Sequence, residues 1–214
     1  RYILLAIIWT SLVAAVLICF AGFRSGSVGD TGMYMHSYRM YVSDPSTIPY
    51  DRDWGFSLLN LLLIQFSSNP QTLVFVTSFI NQLCNMIVFY KYSSYLELQV
   101  FVYIASGYLT TSMNGMRQCL AASILFLFTK LITDGKFIAY LIIVLIISTI
   151  HGSALIMIPV YFIVRQKAWS RNVVIFIIIA VIGVLGYNFL SPYLFKVLED
   201  TQYAGYSTYG IIRK

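Results

Sequence analysis

Apolar runs close to the length needed to cross a bilayer recur along this chain, and they leave few folds open. A hydrocarbon core of about 30 Å takes about 20 apolar residues in a helix. Ile3–Gly22 meets that length, as do Gln71–Tyr90, Leu96–Ser112, Arg117–Leu131 with its flanks, and Val173–Leu190. Inside hydrocarbon the backbone has no water to bond, so each run must satisfy its own amides, as a helix does. The composition agrees. Of 214 residues, 59% are hydrophobic and 10% charged, where a soluble domain carries about 25% charged residues. The mean hydropathy is +0.78. The reading is an all-α, polytopic membrane protein forming one transmembrane domain over residues 1–214, cut short at both ends.

The net charge of +6 comes from basic residues that form no stripe and fall mostly in the gaps between apolar runs, so no nucleic-acid partner is expected. Cys19, Cys84 and Cys119 each lie within an apolar run, at spacings that fit no zinc or redox motif. They read as small apolar side chains.

Two segments are ambiguous by length. Trp54–Phe66 is short for a span and reads as an interfacial or re-entrant helix ended by Asn69-Pro70. Phe137–Val164 is long for one helix and is broken by His151-Gly152. Charge separates the options, because cytoplasmic loops favour Lys and Arg. If Trp54–Phe66 does not cross and Phe137–Val164 is a pair, then Arg1, Lys91, Lys130, Lys136, Arg165, Lys167 and Arg171 share the cytoplasmic side. The expected count is then about seven transmembrane helices. The same arrangement collects the polar stretch Arg24–Asp53, Arg117, His151 and the tail after Leu190 at the extracytoplasmic end.

That polar stretch holds Arg24, Asp30, Arg39, Asp44, Asp51, Arg52 and Asp53, including half of the acidic residues. It reads as an extracytoplasmic loop that leads, over 24–66, into the interfacial helix. Its glycines permit an irregular backbone close to a ligand, although a plain solvated loop has the same composition. Arg117 opens a membrane helix, with Asn114, Gln118 and Ala121 at the spacing of one helical face. It is either a snorkelling arginine or an anion site, since its planar fork matches phosphate. His151 is either a satisfied structural histidine or a substrate contact or proton carrier. With His36 as the only other histidine, zinc is not expected. Ser153 cannot pair with His151 on a helix, where positions i and i+2 diverge.

Three blocks in order resemble the EpsG family of bacterial exopolysaccharide polymerases, which are Wzy-like membrane proteins. They are Phe23-Arg24 through Gly29-Asp30 to Tyr34, then Met116-Arg117-Gln118 with Leu120-Ala121, then Ile150-His151 with Ser153-Ala154. The order of these blocks against the hydrophobic segments is similar to the family as well. Two departures stand out. Asp53 lies one place further from Gly55-Phe56 than the family's usual Glu. Family members also continue past a Tyr-rich segment like that of Tyr203, Tyr206 and Tyr209.

The resemblance implies a fold like that of the C superfamily of glycosyltransferases, with an acidic first extracytoplasmic loop followed by surface helices. It implies transfer of undecaprenyl-diphosphate-linked oligosaccharide units onto a growing glycan, at the outer face of the bacterial cytoplasmic membrane. On that reading Arg24 and Arg117 neutralise the diphosphate, and Asp30 takes the acceptor's proton as catalytic base. Tyr34, Gln118 and His151 contact substrate, and so does Asp53, whose task the sequence does not fix. No acidic cluster suggests a metal, no cofactor is expected, and direct displacement would invert the anomeric centre. Membrane lipids and other polysaccharide-export proteins are the remaining expected partners. The competing classes are a flippase for the same lipids, for which no inverted repeat is visible, and a polysaccharide acyltransferase with His151 as base.

Overall fold

The structure, a computed structural model, describes residues 2–50, 53–187, 189, 191, 193 and 196. Asp51, Arg52 and the tyrosines Tyr203, Tyr206 and Tyr209 lie outside the described residues, as does most of the tail after Leu190. Among the described residues the chain is helical and contains no strand. Its elements are α1 (Tyr2–Gly22), α2 (Thr31–Ser43), α3 (Trp54–Ile64), α4 (Gln71–Tyr92), α5 (Leu96–Ala105) and α6 (Tyr108–Thr111). They continue with α7 (Met116–Leu127), α8 (Thr129–Thr133), α9 (Phe137–Ser148), α10 (Met157–Val164) and α11 (Arg171–Leu185). Short 3-10 turns cover Pro45–Thr47 and Gly152–Ile156. The chain forms two units, residues 1–161 and 162–214.

In the first unit α4 is the central element, packed against α1 on one side and α7 on the other. Leu4–Gly22 and Gln71–Tyr92 are long and apolar enough to cross a membrane. α4 nonetheless buries Ser78, Asn81, Gln82 and Asn85, spaced i, i+3, i+4 and i+7 along one face. Asn81 Nδ2 donates to the Cys119 carbonyl at 2.8 Å, and the Tyr103 hydroxyl donates to Gln82 Oε1 at 2.9 Å. Gln82 Nε2 donates in turn to Ser112 Oγ at 3.3 Å. Lipid competes little for such groups, so each bond joins helices with a modest gain of about 0.6 kcal/mol.

Helix direction sorts the unit into two ends. Gln71 Nε2, at the start of α4, donates to the Gly22 carbonyl at the end of α1, 2.6 Å away. α4 and α7 run parallel, with Asn81 near Cys119 and Phe89 against Phe126. The start of α7 therefore stands level with Ser78 of α4, on the side where α1 ends, and the contacts of Asp53 with Arg117 and Gly152 bring the turn after α9 there too. At the other end, Tyr92 and Ser93 share a cleft with Lys130 and Thr133.

Several segments differ from the sequence expectation. The polar stretch is not all loop: it holds the 13-residue α2, whose Tyr34, Met35 and Tyr38 are buried against α3 and α4. The Tyr38 hydroxyl donates to the Ser67 carbonyl at 2.8 Å, which ties α2 down. The run Leu96–Ser112 is broken by a turn at Ser106-Gly107 into the short α5 and α6. The short helix expected at Trp54–Phe66 is present as α3. Phe137–Val164 is broken where the sequence placed the break: α9 stops at Ser148, and His151 is extended at φ −155°, ψ 117°. In the second unit α11 is a 15-residue apolar helix entered from Ser170.

Candidate functional site

Asp53 stands immediately before α3 in the left-handed region, at φ 48° and ψ 38°. Few non-glycine residues adopt this conformation, and Asp and Asn do so most readily. Three remote segments converge on its carboxylate. Oδ1 accepts the Gly152 N–H at 3.0 Å, and Oδ2 accepts from Arg117 Nη1 at 2.8 Å. His151 Nδ1 lies 3.4 Å from the same Oδ2. The Asp53 side chain is 9% exposed, His151 22% and Arg117 36%, so the cluster is sunk but open on the arginine's side.

Arg117 is fixed from several directions. Its Nε donates to the Tyr34 hydroxyl at 3.2 Å, and its guanidinium carbon lies 5.8 Å from the Tyr34 ring and 5.9 Å from the Phe56 ring. Both distances suit a cation–π contact. Burial pushes the Tyr34 phenol above its usual range and outweighs the opposing pull of Arg117, so Tyr34 stays a neutral hydroxyl that can accept. The Nη2 donors of Arg117 make no hydrogen bond among the described residues. Arg117 also lines a cavity of about 230 Å³ shared with Ser37, Tyr41, Ser57 and Asn60.

Gly55 brings α3 against the turn that carries His151. Its N–H donates to the Thr149 carbonyl at 2.8 Å, and a Cβ at this position would overlap Thr149 Oγ1 and lie 3.0 Å from the Thr149 carbonyl carbon. Gly55→Ala should therefore push Asp53 off the His151 turn, lowering stability by about 1–3 kcal/mol as overpacking does. Thermal unfolding of the purified variant reads this out. An unchanged melting temperature would argue against the close approach.

The front of the polar stretch meets the start of α7 through a second set of contacts. Asp30 Oδ2 accepts the Gly115 N–H at 3.0 Å, and the Asp30 N–H donates to Asn114 Oδ1 at 3.1 Å. Gly29, at φ 55°, allows this: a Cβ there would come within 2.8 Å of Asn114 Oδ1. Asp30 Oδ1 is buried with no hydrogen-bond partner among the described residues.

Arg24 points inward and is 7% exposed. Nε donates to Thr31 Oγ1 at 2.8 Å, and Nη1 donates at 2.7 Å to both the Ala21 carbonyl and Ser78 Oγ. Burial lowers its pKa, with Asp30 as the main opposing influence. Gln118 lies on another face of α7 and lines a larger, mostly apolar cavity with Ser153.

The structure thus brings Tyr34, Asp53, Arg117 and His151 into one cluster. It places Arg24 in the core, Asp30 at the α7 junction and Gln118 on a separate cavity. Sequence reasoning singled out every member of the cluster but left the role of Asp53 open. Its place ahead of α3 was visible in sequence; the contacts with Arg117 and the His151 turn come from packing between remote segments. Among the described residues, no group of three or more His, Cys, Asp and Glu side chains is placed to hold a metal ion.

These features define a helical membrane protein with a sunken, arginine-centred polar site. A model of the EpsG family matches residues 7–212, nearly the whole chain, and the protein belongs to that family. Membership implies an exopolysaccharide-related polymerase. Comparisons with curated proteins and with solved structures return no match.

Proposed function

We propose that this protein transfers an oligosaccharide unit from undecaprenyl diphosphate onto a hydroxyl of a growing glycan, at the Arg117–Asp53–His151 cluster. The single observation that carries this reading is the fixed Arg117. It is held by Asp53 and Tyr34, makes no Nη2 hydrogen bond among the described residues, and lines a cavity. A diphosphate leaving group needs its growing charge neutralised, and an arginine pre-set in a low-dielectric pocket supplies this without reorganising.

The acceptor oxygen attacks the anomeric carbon as the bond from that carbon to the diphosphate oxygen breaks. Negative charge accumulates on the diphosphate beside Arg117. The acceptor's proton has two candidate takers. Asp30 has one oxygen on the Gly115 N–H and the other buried. His151 has Nδ1 against Asp53, which favours a proton there and leaves Nε2 as an acceptor. The geometry favours His151 as the base, with Asp53 orienting it. Asp30 then positions the start of α7, and Arg24 braces the loop from beneath. One displacement of this kind inverts the anomeric centre, and the charge is carried by arginine rather than by a metal.

The orientation follows the same reading. Lys91, Lys130 and Lys136 sit at the ends of α4, α8 and α9 opposite to the cluster. A cytoplasmic bias for Lys and Arg turns the cluster outward.

His151→Gln tests the base. Losing a positioned acid–base group costs roughly 10²–10⁴-fold in rate. Polymer formation from purified lipid-linked donor should fall by that factor, with donor binding retained. Normal polymer length and rate would remove His151 from the mechanism. Cysteine labelling at Ser27 and Ser153 reads the orientation, and cytoplasmic labelling at both would overturn it.

A further inference from the structure

The cavity of about 580 Å³ beside the cluster has no role in the chemistry above. One wall is α7, where Gln118, Ala121, Ala122 and Leu125 recur at helical spacing, followed by Thr129 at the start of α8. The stripe on α7 runs about 10 Å along the helix axis. A row of linked rings runs from Phe126 of α7 across to the opposite wall. Phe126 and Phe89 lie 6.2 Å apart, Phe89 and Tyr103 5.4 Å, and Tyr103 and Tyr108 5.4 Å. The Tyr103 hydroxyl is given to Gln82, so its ring lines the cavity without a free polar tip. The residues Gln118 and Ser153 place this cavity next to the polar site, because their near neighbours in sequence are Arg117 and His151. The cavity shares Phe89, Gln99, Phe126 and Thr129 with the cleft at Lys130, so the apolar path continues toward the far end of the unit.

We infer that this groove holds the isoprenoid chain of the lipid-linked substrate. The inference rests on the transferase reading for its headgroup, and on the groove's own shape for its tail. An amphiphile whose diphosphate lies at Arg117 must place its hydrocarbon within a few ångströms of that residue. The groove begins at Gln118, the residue after Arg117 on the next face of α7, is mostly apolar and lies within the size range of small-molecule sites. Ala121 and Ala122 keep it open, where larger side chains would fill it.

The test uses the full chain in phospholipid nanodiscs and a polyprenyl monophosphate carrying a diazirine on one isoprene unit, with no sugar. Photolabelling should map to residues 118–129, on α7 and the start of α8, and to the Tyr103–Tyr108 segment. Excess unlabelled polyprenyl phosphate should suppress it, and an equal excess of phosphatidylglycerol should not. Ala122→Trp and Val102→Trp fill the groove from opposite walls at exposed positions, and each should cut labelling roughly tenfold. Labelling elsewhere, equal suppression by phosphatidylglycerol, indifference to both tryptophans or no labelling at all would each overturn the groove. Labelling as expected from a protein that makes no polymer would sink the transferase reading and leave the groove standing.

Discussion

Arg117→Ala should abolish polymer formation while leaving the protein folded. Removing one preorganised donor to a developing negative charge costs on the order of 10²–10³-fold, and a positioned arginine at a transferring phosphate more than that. Arg117→Lys should recover only part of the loss. It keeps the charge but not the planar fork that reaches Asp53, Tyr34 and a ligand together. A structural role has to be separated from a chemical one, because the alanine variant leaves Asp53 sunken without its cation. The double variant Arg117→Ala, Asp53→Asn removes that unpaired charge, and asparagine tolerates the left-handed backbone at this position. It should melt close to the wild type and still make no polymer. Full-length polymer from Arg117→Ala at normal expression would sink the diphosphate role outright.

The second large effect is of the opposite kind. Arg24→Ala should cost stability, by about 1–3 kcal/mol for each buried acceptor left without a donor. Its guanidinium is nearly inaccessible and joins the end of α1, the start of α2 and the middle of α4 through Ala21, Thr31 and Ser78. The alanine variant leaves these acceptors dry and a cavity between three helices. Arg24→Lys should fail almost as badly, since a single ammonium cannot serve all three directions. The readout is the fraction of folded protein after detergent extraction, with a melting temperature lower by on the order of 10 °C. A stable Arg24→Ala protein that has lost donor binding would return Arg24 to the substrate. The contrast between the two arginines is the sharper measurement: one variant stays folded and inactive, the other does not survive extraction.

Much of the architecture was legible because it follows from periodicity and length. Ile3–Gly22, Gln71–Tyr90, the short helix at Trp54 and the break at His151 all appear as helices and turns close to their expected bounds. α2 was not legible. Its glycine, histidine and serine content reads as loop, and its helicity depends on burying Tyr34, Met35 and Tyr38 against elements distant in sequence. The candidate site divides the same way. Charge patterning drew the polar stretch, Arg117 and His151 to one end, and the structure brings Asp53, Arg117 and His151 into contact there. The direction in which each charged group points was beyond the sequence. Arg24 and Arg117 look equivalent in composition, yet one is buried among backbone and hydroxyl acceptors while the other is partly exposed and lines a cavity. Packing decides that, through Ser78 on α4 in one case and Tyr34 on α2 in the other.

The early stop of α9 has a mechanical consequence. Twelve residues rise only about 18 Å, well short of a hydrocarbon layer of about 30 Å. Set in a bilayer with its Lys136 end at one surface, α9 delivers His151 beneath the opposite surface. Lipid beside this flank has to thin, or a wet funnel has to reach down to the histidine. A sugar headgroup would then be met part-way into the membrane, without its carrier being lifted out of the leaflet. The depth of that dimple, rather than any side chain within it, would set how far a polyprenyl diphosphate must travel to be cut.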